Sequence, residues 1–273
     1  MLLSERLAAL YPASSRRALK RWLLAGRVRV NGEVVRRGDV AVGDADRVAL
    51  GAPPPPAFPA PLHLVHADDD IVVIDKPPGL LTIATERERE RTAYRLVGDW
   101  VAARDGGRIF VVHRLDRETS GLVVFARTAA AKRSLQEQFE RRSVERVYVA
   151  VVDGRVRDDA GALRDRLVED RGLRVRTTRD RRAGREAVTR YRVVRRGATA
   201  TLLEIALETG RRGQIRAQLA AIGHPVVGDA AHGSRRDPLR RLCLHATRLG
   251  FTHPAGAPAR FESPPPAAFG RLA

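Results

Sequence analysis

The chain is predicted to be α+β, with a mixed, largely antiparallel sheet in its main domain and a small α-α-β domain ahead of it. Three observations predict this. Short β-branched runs recur after residue 70 with few helical segments between them, as expected of strands gathered into one antiparallel sheet. Upstream, helical spacing gives way to valine runs around Asn31-Gly32. Between the two regions lie Pro53 to Pro56, Pro59 and Pro61, whose rings fix φ and remove amide donors, so that neither a helix nor an interior strand continues through them. The expected parts are a small domain at 1–51, a linker at 52–61 and a main domain at 62–273.

Taken in order, Leu3, Leu7 and Leu10 fall at helical spacing, and Leu19, Trp22 and Leu23 repeat it after the break at Pro12 to Ser15. Gly26 stops the second helix. Val28, Val30, Val34 and Val35 then surround Asn31-Gly32, a dipeptide suited to the two positive-φ positions of a tight hairpin. In the main domain, Ile71 to Ile74, Ile109 to Val112, Leu122 to Phe125, Arg146 to Val152, Arg190 to Val194 and Thr201 to Glu208 read as strands. Ala129 to Phe139 reads as a helix, and Ile215, Leu219 and Ile222 mark the buried face of another.

Composition narrows the function. Of 273 residues, 44% are hydrophobic and 30% charged, which excludes wholesale disorder. Fifty Lys and Arg against 32 Asp and Glu leave a net charge of +18, which points to a polyanionic partner, RNA or DNA first. Only three of the cations are lysines, Lys20, Lys76 and Lys132. The single cysteine, Cys243, rules out an intramolecular disulfide and a multi-cysteine zinc site. His63 and His66 could share a helix face and Cys243 and His245 a strand face, yet neither pair has enough partners to hold a metal. No metal and no cofactor are expected. Phosphate-loop and dinucleotide glycine motifs are absent, and with no apolar run of spanning length and no apolar signal core after Met1, a cytoplasmic, membrane-free protein is expected.

The first segment with chemical potential runs from His113 through Arg114, Leu115, Asp116, Arg117, Glu118, Thr119 and Ser120 to Gly121, a polar loop between two strands. Asp116, flanked by Arg114 and Arg117, should stay ionised, because nearby positive charge favours the carboxylate, and an ionised Asp can act as nucleophile or base. The plainer reading is a turn in which Asp116, Thr119 and Ser120 bond local backbone and Gly121 supplies positive φ.

A second segment, Thr209-Gly210-Arg211-Arg212-Gly213-Gln214-Ile215-Arg216, leads glycines and arginines into a helix start that could hold phosphate. Arg216 falls beside the buried face and, if desolvated, needs an acidic partner, for which Asp116 is a candidate. Solvated arginines at a glycine-punctuated helix start are the plainer alternative. Tyr148 shares a strand face with Arg146, opposite Val147 and Val149; an aromatic beside basic groups can stack a base, although strand tyrosines more commonly pack cores.

At His113-Arg114-Leu115-Asp116 with Thr119-Ser120-Gly121 the sequence resembles the RluA-type family of RNA pseudouridine synthases. The likeness continues through Asp75-Lys76-Pro77-Pro78-Gly79, Tyr148 with Ala150, Thr209-Gly210-Arg211 with Gln214-Ile215-Arg216, Gly223-His224-Pro225 with Gly228-Asp229, Leu244-His245-Ala246 and His253-Pro254. Residues 1 to about 50 resemble the small RNA-binding domain named after a small-subunit ribosomal protein, with Arg16, Arg17, Lys20, Arg27 and Arg29 placed to meet phosphates. The resemblance implies that Asp116 is the catalytic carboxylate, that Arg216 pairs with it, that Tyr148 packs against the uracil, and that Arg114 occupies the space left by a flipped-out base; Arg211 and Arg212 join the RNA contacts. It further implies a monomer needing no cofactor that isomerises uridines in ribosomal or transfer RNA. The chain departs from the family pattern at Gly213, where His usually precedes Gln-Ile-Arg.

A base within stacked RNA must be extruded to be reached, at a cost of a few kcal/mol that arginines and stacking offset. Whether Asp116 attacks ribose, attacks the base or removes a ribose proton is open at the level of residue identity. A noncatalytic RNA-binding or assembly protein is the rival reading, and a nucleoside hydrolase the third, which normally needs two carboxylates where one stands out here.

Overall fold

The computed structural model describes residues 1–52, 55–86, 88–170 and 174–273, so that two prolines of the expected linker, 53 and 54, lie outside the described residues. The chain divides into two compact units, Met1–Ala57 and Phe58–Ala273.

The first unit contains helices α1 (Leu3–Leu10) and α2 (Arg16–Leu24) and strands β1 (Val28–Val30), β2 (Glu33–Val34) and β3 (Val48–Leu50), in the order β2-β1-β3. Ser15 caps α2 by accepting the Ala18 amide at 3.2 Å, which satisfies one of the amides left free at a helix start. Leu3, Leu7, Leu19, Leu23, Val28 and Val42 form its core. Leu10, read with the apolar set of α1, is instead 44% exposed. The hairpin closes over Asn31 and Gly32, both at positive φ (53° and 91°). The Asn31 side chain donates to Asp46 (2.7 Å) and accepts from the Arg47 amide (2.9 Å), tying the turn to the segment before β3.

The second unit contains β4 (His63–Ala67), β5 (Ile71–Lys76), α3 (Ala93–Asp105), β6 (Phe110–Val111), β7 (Ser120–Ala126), α4 (Ala129–Glu140), β8 (Glu145–Asp153), β9 (Ala160–Glu169), β10 (Val175–Thr178), β11 (Arg185–Arg196), β12 (Ala200–Leu207), α5 (Gln214–Ala221), β13 (Leu244–Thr252), β14 (Pro258–Glu262) and α6 (Ala267–Leu272). Its sheet runs β10-β9-β11-β12-β8-β13-β7-β5-β4, with β14 on β13 and β6 on β7. The pairings are antiparallel except where β13 meets β7 in parallel, His245 opposite Ser120 and Ala246 opposite Gly121. The expected mixed, largely antiparallel sheet is therefore present.

Strand β5 is buried along Ile71 to Ile74 because both faces of the sheet are covered. Val72 and Ile74 face a core shared with Val97, Trp100 and Val101 of α3, Ile215 and Leu219 of α5, and Phe269 of α6. Ile71 and Val73 face Ala131 and Leu135 of α4. Ile222, expected on the buried face of α5, is 42% exposed because it is the C-cap residue, where the chain turns away. His63 and His66 lie on strand β4, not on a helix. No described helix is long and apolar enough to cross a membrane.

The parallel seam positions the chemistry. Gly121 stands in it at φ 112°, and a Cβ there would lie 2.3 Å from the Ala246 carbonyl oxygen, so the chain can pass this close to β13 only with hydrogen at that position. The polar loop carrying Asp116 runs directly into this point.

Candidate active site

The loop between β6 and β7 is fixed from both flanks. Before Asp116, the Thr82 hydroxyl donates to the Leu115 carbonyl (2.8 Å) and accepts the Leu115 amide (3.2 Å). After it, the Gly79 amide donates to the Arg117 carbonyl (2.9 Å) and the Arg117 guanidinium donates back to Gly79 (3.0 Å). Beneath both, the fully buried Lys76 donates from Nζ to the carbonyls of Pro77 (2.8 Å), Leu80 (2.8 Å) and Arg117 (3.1 Å). Burial pushes its ammonium down to about 7, against the opposing pull of Glu118 and Asp116. At the loop's start the ring of His113 stacks on Phe139 (4.8 Å) and accepts the Val124 amide at Nε2 (3.0 Å). Burial, reinforced by Arg146, lowers its pKa to about 3, so His113 is a neutral scaffold and not a proton donor.

The plainer reading of this loop as a local turn holds only in part. The Thr119 amide does bond the Asp116 carbonyl (3.2 Å). Ser120, by contrast, bonds across the fold to His245 Nδ1 (2.8 Å) and accepts from Arg241 (2.6 Å). Arg117, expected to flank the Asp116 carboxylate, turns to Gly79 and to Glu118 at 3.7 Å.

Asp116 lines a cavity of about 550 Å³ together with Arg114, Arg146, Tyr148, Arg211, Arg212, Gly213 and Arg216. Val112, Leu115, Phe139, Leu207, Ile215 and Leu244 supply its apolar wall. The structure thus brings Asp116, Tyr148 and Arg216 together although 100 residues separate the first from the last. Arg216 is only 18% exposed and its Nη1 lies 3.8 Å from Asp116 Oδ2. Its closer partner is Asp229, bonded at 2.6 Å to Nε and 2.7 Å to Nη2, the bidentate geometry a guanidinium favours. Burial opposes the Arg216 charge, but Asp229 first and Asp116 after it hold its pKa above the ordinary value. Burial likewise opposes the Asp229 charge, yet hydrogen bonds from Arg216 and His232 bring its pKa down to about 2. The His232 ring stands between Asp229 (Nδ1, 3.1 Å) and the Val175 carbonyl (Nε2, 3.2 Å).

Tyr148 is 9% exposed, and its phenol has no hydrogen-bond partner among the described residues. Burial raises its pKa to about 12, with Arg146 opposing and Asp116 adding to the rise, so it offers the cavity a neutral ring. Arg146 is also buried; its Nη2 reaches the carbonyls of Leu207 (3.4 Å) and Glu208 (3.3 Å), and its Nε is unpaired among the described residues.

The loop opposite Asp116 is held by buried amide side chains. The Thr209 hydroxyl donates to Gln214 (2.8 Å) and accepts the Val188 amide (2.9 Å), while Gln214 donates to Val188 (3.1 Å) and Thr189 (2.8 Å) on β11. Arg211 donates to the Glu186 carbonyl (3.2 Å) and Arg212 pairs with Glu169. Gly213 caps α5 in the left-handed conformation, φ 59°.

In the first unit, Arg16, Arg17 and Lys20 are exposed on α2. Arg27 and Arg29 are half-buried and bond the backbone, Arg27 to Gly51 (3.3 Å) and Arg29 to Gly32 (2.9 Å). Sequence reasoning gave no role to Lys76, Asp229 or His232. Lys76 and Asp229 stand within quoted motifs, but only the fold shows what they touch. Among the described residues no group of His, Cys, Asp and Glu side chains is arranged to hold a metal.

Comparison with known proteins bears on both units. Residues 70–221 match the model of the RNA pseudouridylate synthase family and residues 3–48 the model of the S4 domain. The chain is 34% identical to an uncharacterized RNA pseudouridine synthase of Aquifex aeolicus, over 92% of this chain and 86% of that protein. It is 33% identical to the ribosomal large subunit pseudouridine synthase D of Vibrio cholerae, over 97% of this chain and 87% of the other. Among solved structures, human RNA pseudouridylate synthase domain containing 4 shares the fold at a TM-score of 0.63 and 24% identity, covering 76% of this chain and 90% of that one.

Proposed function

The chain belongs to the RNA pseudouridylate synthase family, isomerases that convert uridine to pseudouridine in RNA, and from that premise we propose that it acts on uridines of ribosomal RNA, with Asp116 as the catalytic carboxylate. The observation that carries this reading is the convergence of Asp116, Tyr148 and Arg216 on one cavity, with Arg216 held 3.8 Å from Asp116 by its clamp to Asp229. The choice of ribosomal RNA rests on relatives named for the large ribosomal subunit.

The isomerisation breaks the bond from uracil N1 to ribose C1′, turns the ring, and joins C5 to C1′; C5 loses its proton and N1 gains one. No atoms are added. In our reading, the target nucleotide leaves the RNA stack, its uracil packs on the Tyr148 ring, and the Asp116 carboxylate meets the sugar or base. The neutral phenol gives an apolar platform without a competing charge. Arg216 keeps the carboxylate oriented beside a fixed cation. Arg114, exposed at the rim and without a hydrogen-bond or ion-pair partner among the described residues, takes the place of the extruded base. Extrusion costs a few kcal/mol, which the +18 net charge helps offset through phosphate contacts.

The test is direct. Recombinant protein is incubated with ribosomal RNA from cells lacking the gene, and pseudouridine is mapped at base resolution. Conversion at a defined uridine is expected, and Asp116→Asn should abolish it while retaining RNA affinity. Equal conversion by that variant would remove Asp116 from the mechanism; pseudouridine appearing only in transfer RNA would move the substrate class.

A further inference from the structure

A second concavity, about 330 Å³, also has Asp116 in its wall. It shares Arg114, Asp116, Arg212, Gly213 and Arg216 with the larger cavity and adds Arg117, Glu118, Arg174 and His232. Five guanidinium groups and two carboxylates line it, an excess of three cationic side chains over carboxylates. Several of these charges are already matched: Arg216 to Asp229, Arg212 to Glu169, and Arg117 more distantly to Glu118 at 3.7 Å. Arg174 is exposed, and its guanidinium has no hydrogen-bond or ion-pair partner among the described residues. The His232 ring nitrogens both face protein acceptors, so the ring walls the concavity and is not free to receive a ligand there.

A nucleotide seated in the larger cavity brings its sugar or base to Asp116, and the two phosphodiester arms of its ribose must then leave close to that residue. The neighbouring concavity shares Asp116 with the larger cavity and has unmatched positive charge at Arg174. The geometry points to this concavity as the subsite for a backbone phosphodiester flanking the target uridine, held by Arg117 and Arg174. This rests on the functional reading above, and it assigns to the two arginines a task distinct from catalysis. Arginine suits it, since its planar fork meets two phosphate oxygens at once. Glu118 is the discordant member: its carboxylate repels the same phosphate and moderates affinity.

The experiment reads binding apart from turnover. Fluorescence anisotropy with a labelled twelve-residue oligouridylate is measured on Asp116→Asn protein, in which every register of the RNA presents a uridine and its phosphates. Arg117→Ala and Arg174→Ala are added singly and together, beside Arg133→Ala and Arg195→Ala, two exposed arginines that line neither cavity. Each subsite variant should lower the slope of log Kd against log salt by about 0.7, as loss of one single-strand phosphate contact does, and the pair should weaken binding about tenfold or more at low salt. Glu118→Gln should tighten it two- to threefold. Subsite variants indistinguishable from the controls, no tightening by Glu118→Gln, or no binding by the parent protein would each overturn the assignment. A failure of the functional reading appears elsewhere, as wild-type protein that binds through these arginines yet makes no pseudouridine.

Discussion

Asp229, buried to 1% exposure, grips Arg216 through two hydrogen bonds of 2.6 and 2.7 Å, and so fixes the remaining guanidinium nitrogen 3.8 Å from Asp116. The arrangement makes Arg216 a shared cation. Its firm partner is the carboxylate facing the protein, and its loose one faces the cavity. A group at Asp116 can thus change its contacts during a reaction without the arginine moving.

Removing the firm partner should hurt twice. Asp229→Asn leaves a largely buried guanidinium without its counter-charge, a change that typically costs 3–5 kcal/mol. Arg216→Lys keeps the charge but loses the fork, and should spare stability better while lowering kcat. Urea unfolding and single-turnover assays on both variants separate these effects; equal kcat for wild type and Asp229→Asn would show that the clamp does not serve Asp116.

The same pair sets an acid limit. Asp229 sits at about 2 in the folded chain against 3.8 as its ordinary value. A depressed carboxyl pKa adds stability at pH above 3.8 and loses it as pH falls toward 2, since the unfolded chain then binds the proton more readily. The shift corresponds to about 2 kcal/mol. Urea midpoints between pH 5 and 2 should therefore fall more steeply for wild type than for Asp229→Asn.

Much of this site was legible before the fold, and the reasons for the gaps are physical. Asp116, Tyr148 and Arg216 were marked by the resemblance of their motifs to a known family, since residue type alone fits a local turn, a solvated arginine and a core tyrosine equally well. The hairpin at Asn31-Gly32 followed from φ alone. Helix α3 was missed although Ala93, Val97, Trp100 and Val101 mark one buried face, because Arg95, Asp99 and Arg104 interrupt the run and the helix lies between irregular segments. Strand β9 was missed because its alternation is carried by Arg164, Asp165 and Arg166, charged residues in an arginine-rich chain that mask a period of two. The Asp229–Arg216 pairing is a contact between side chains 13 residues apart across a turn, which no local periodicity encodes. The expected Asp116–Arg216 partnership named one of the two carboxylates that the arginine serves.

Lys76 should prove structural for the Asp116 loop. Its three donated hydrogen bonds join the Pro77 to Leu80 turn to Arg117, so Lys76→Met, similar in length, leaves the Pro77 and Leu80 carbonyls without that donor and the Arg117 carbonyl with the Gly79 amide alone. A loss of about 3 kcal/mol is expected, with kcat falling and RNA affinity nearly kept. Because burial puts the folded-state pKa near 7 and the ordinary value is 10.5, the unfolded chain holds more protons between those limits, and wild-type stability gains a rising component with pH there. Lys76→Met should lack that component in pH-dependent unfolding.

The first unit offers Arg16, Arg17 and Lys20 on an exposed helix face. Such contacts add affinity by counterion release and so weaken as salt rises. A chain lacking residues 1–55 should bind RNA more weakly and with a shallower salt slope than the whole protein, while retaining kcat at saturating RNA. Unchanged affinity at both low and high salt would deny the unit that role.

Gly213 offers a separate test of the departure from the family pattern. Its φ of 59° is left-handed, and an added Cβ would meet Val175 side-chain carbons at 3.4 and 3.5 Å, ordinary contact. A histidine tolerates that backbone region better than most residues, at about 1 kcal/mol. Gly213→His should therefore fold with a small drop in urea midpoint. Because residue 213 lines both cavities that share Asp116, the new ring adds bulk to their common wall and should change KM for RNA while leaving kcat within about threefold. A collapse of kcat at unchanged KM would place residue 213 against the reacting nucleoside instead of along the path of the RNA.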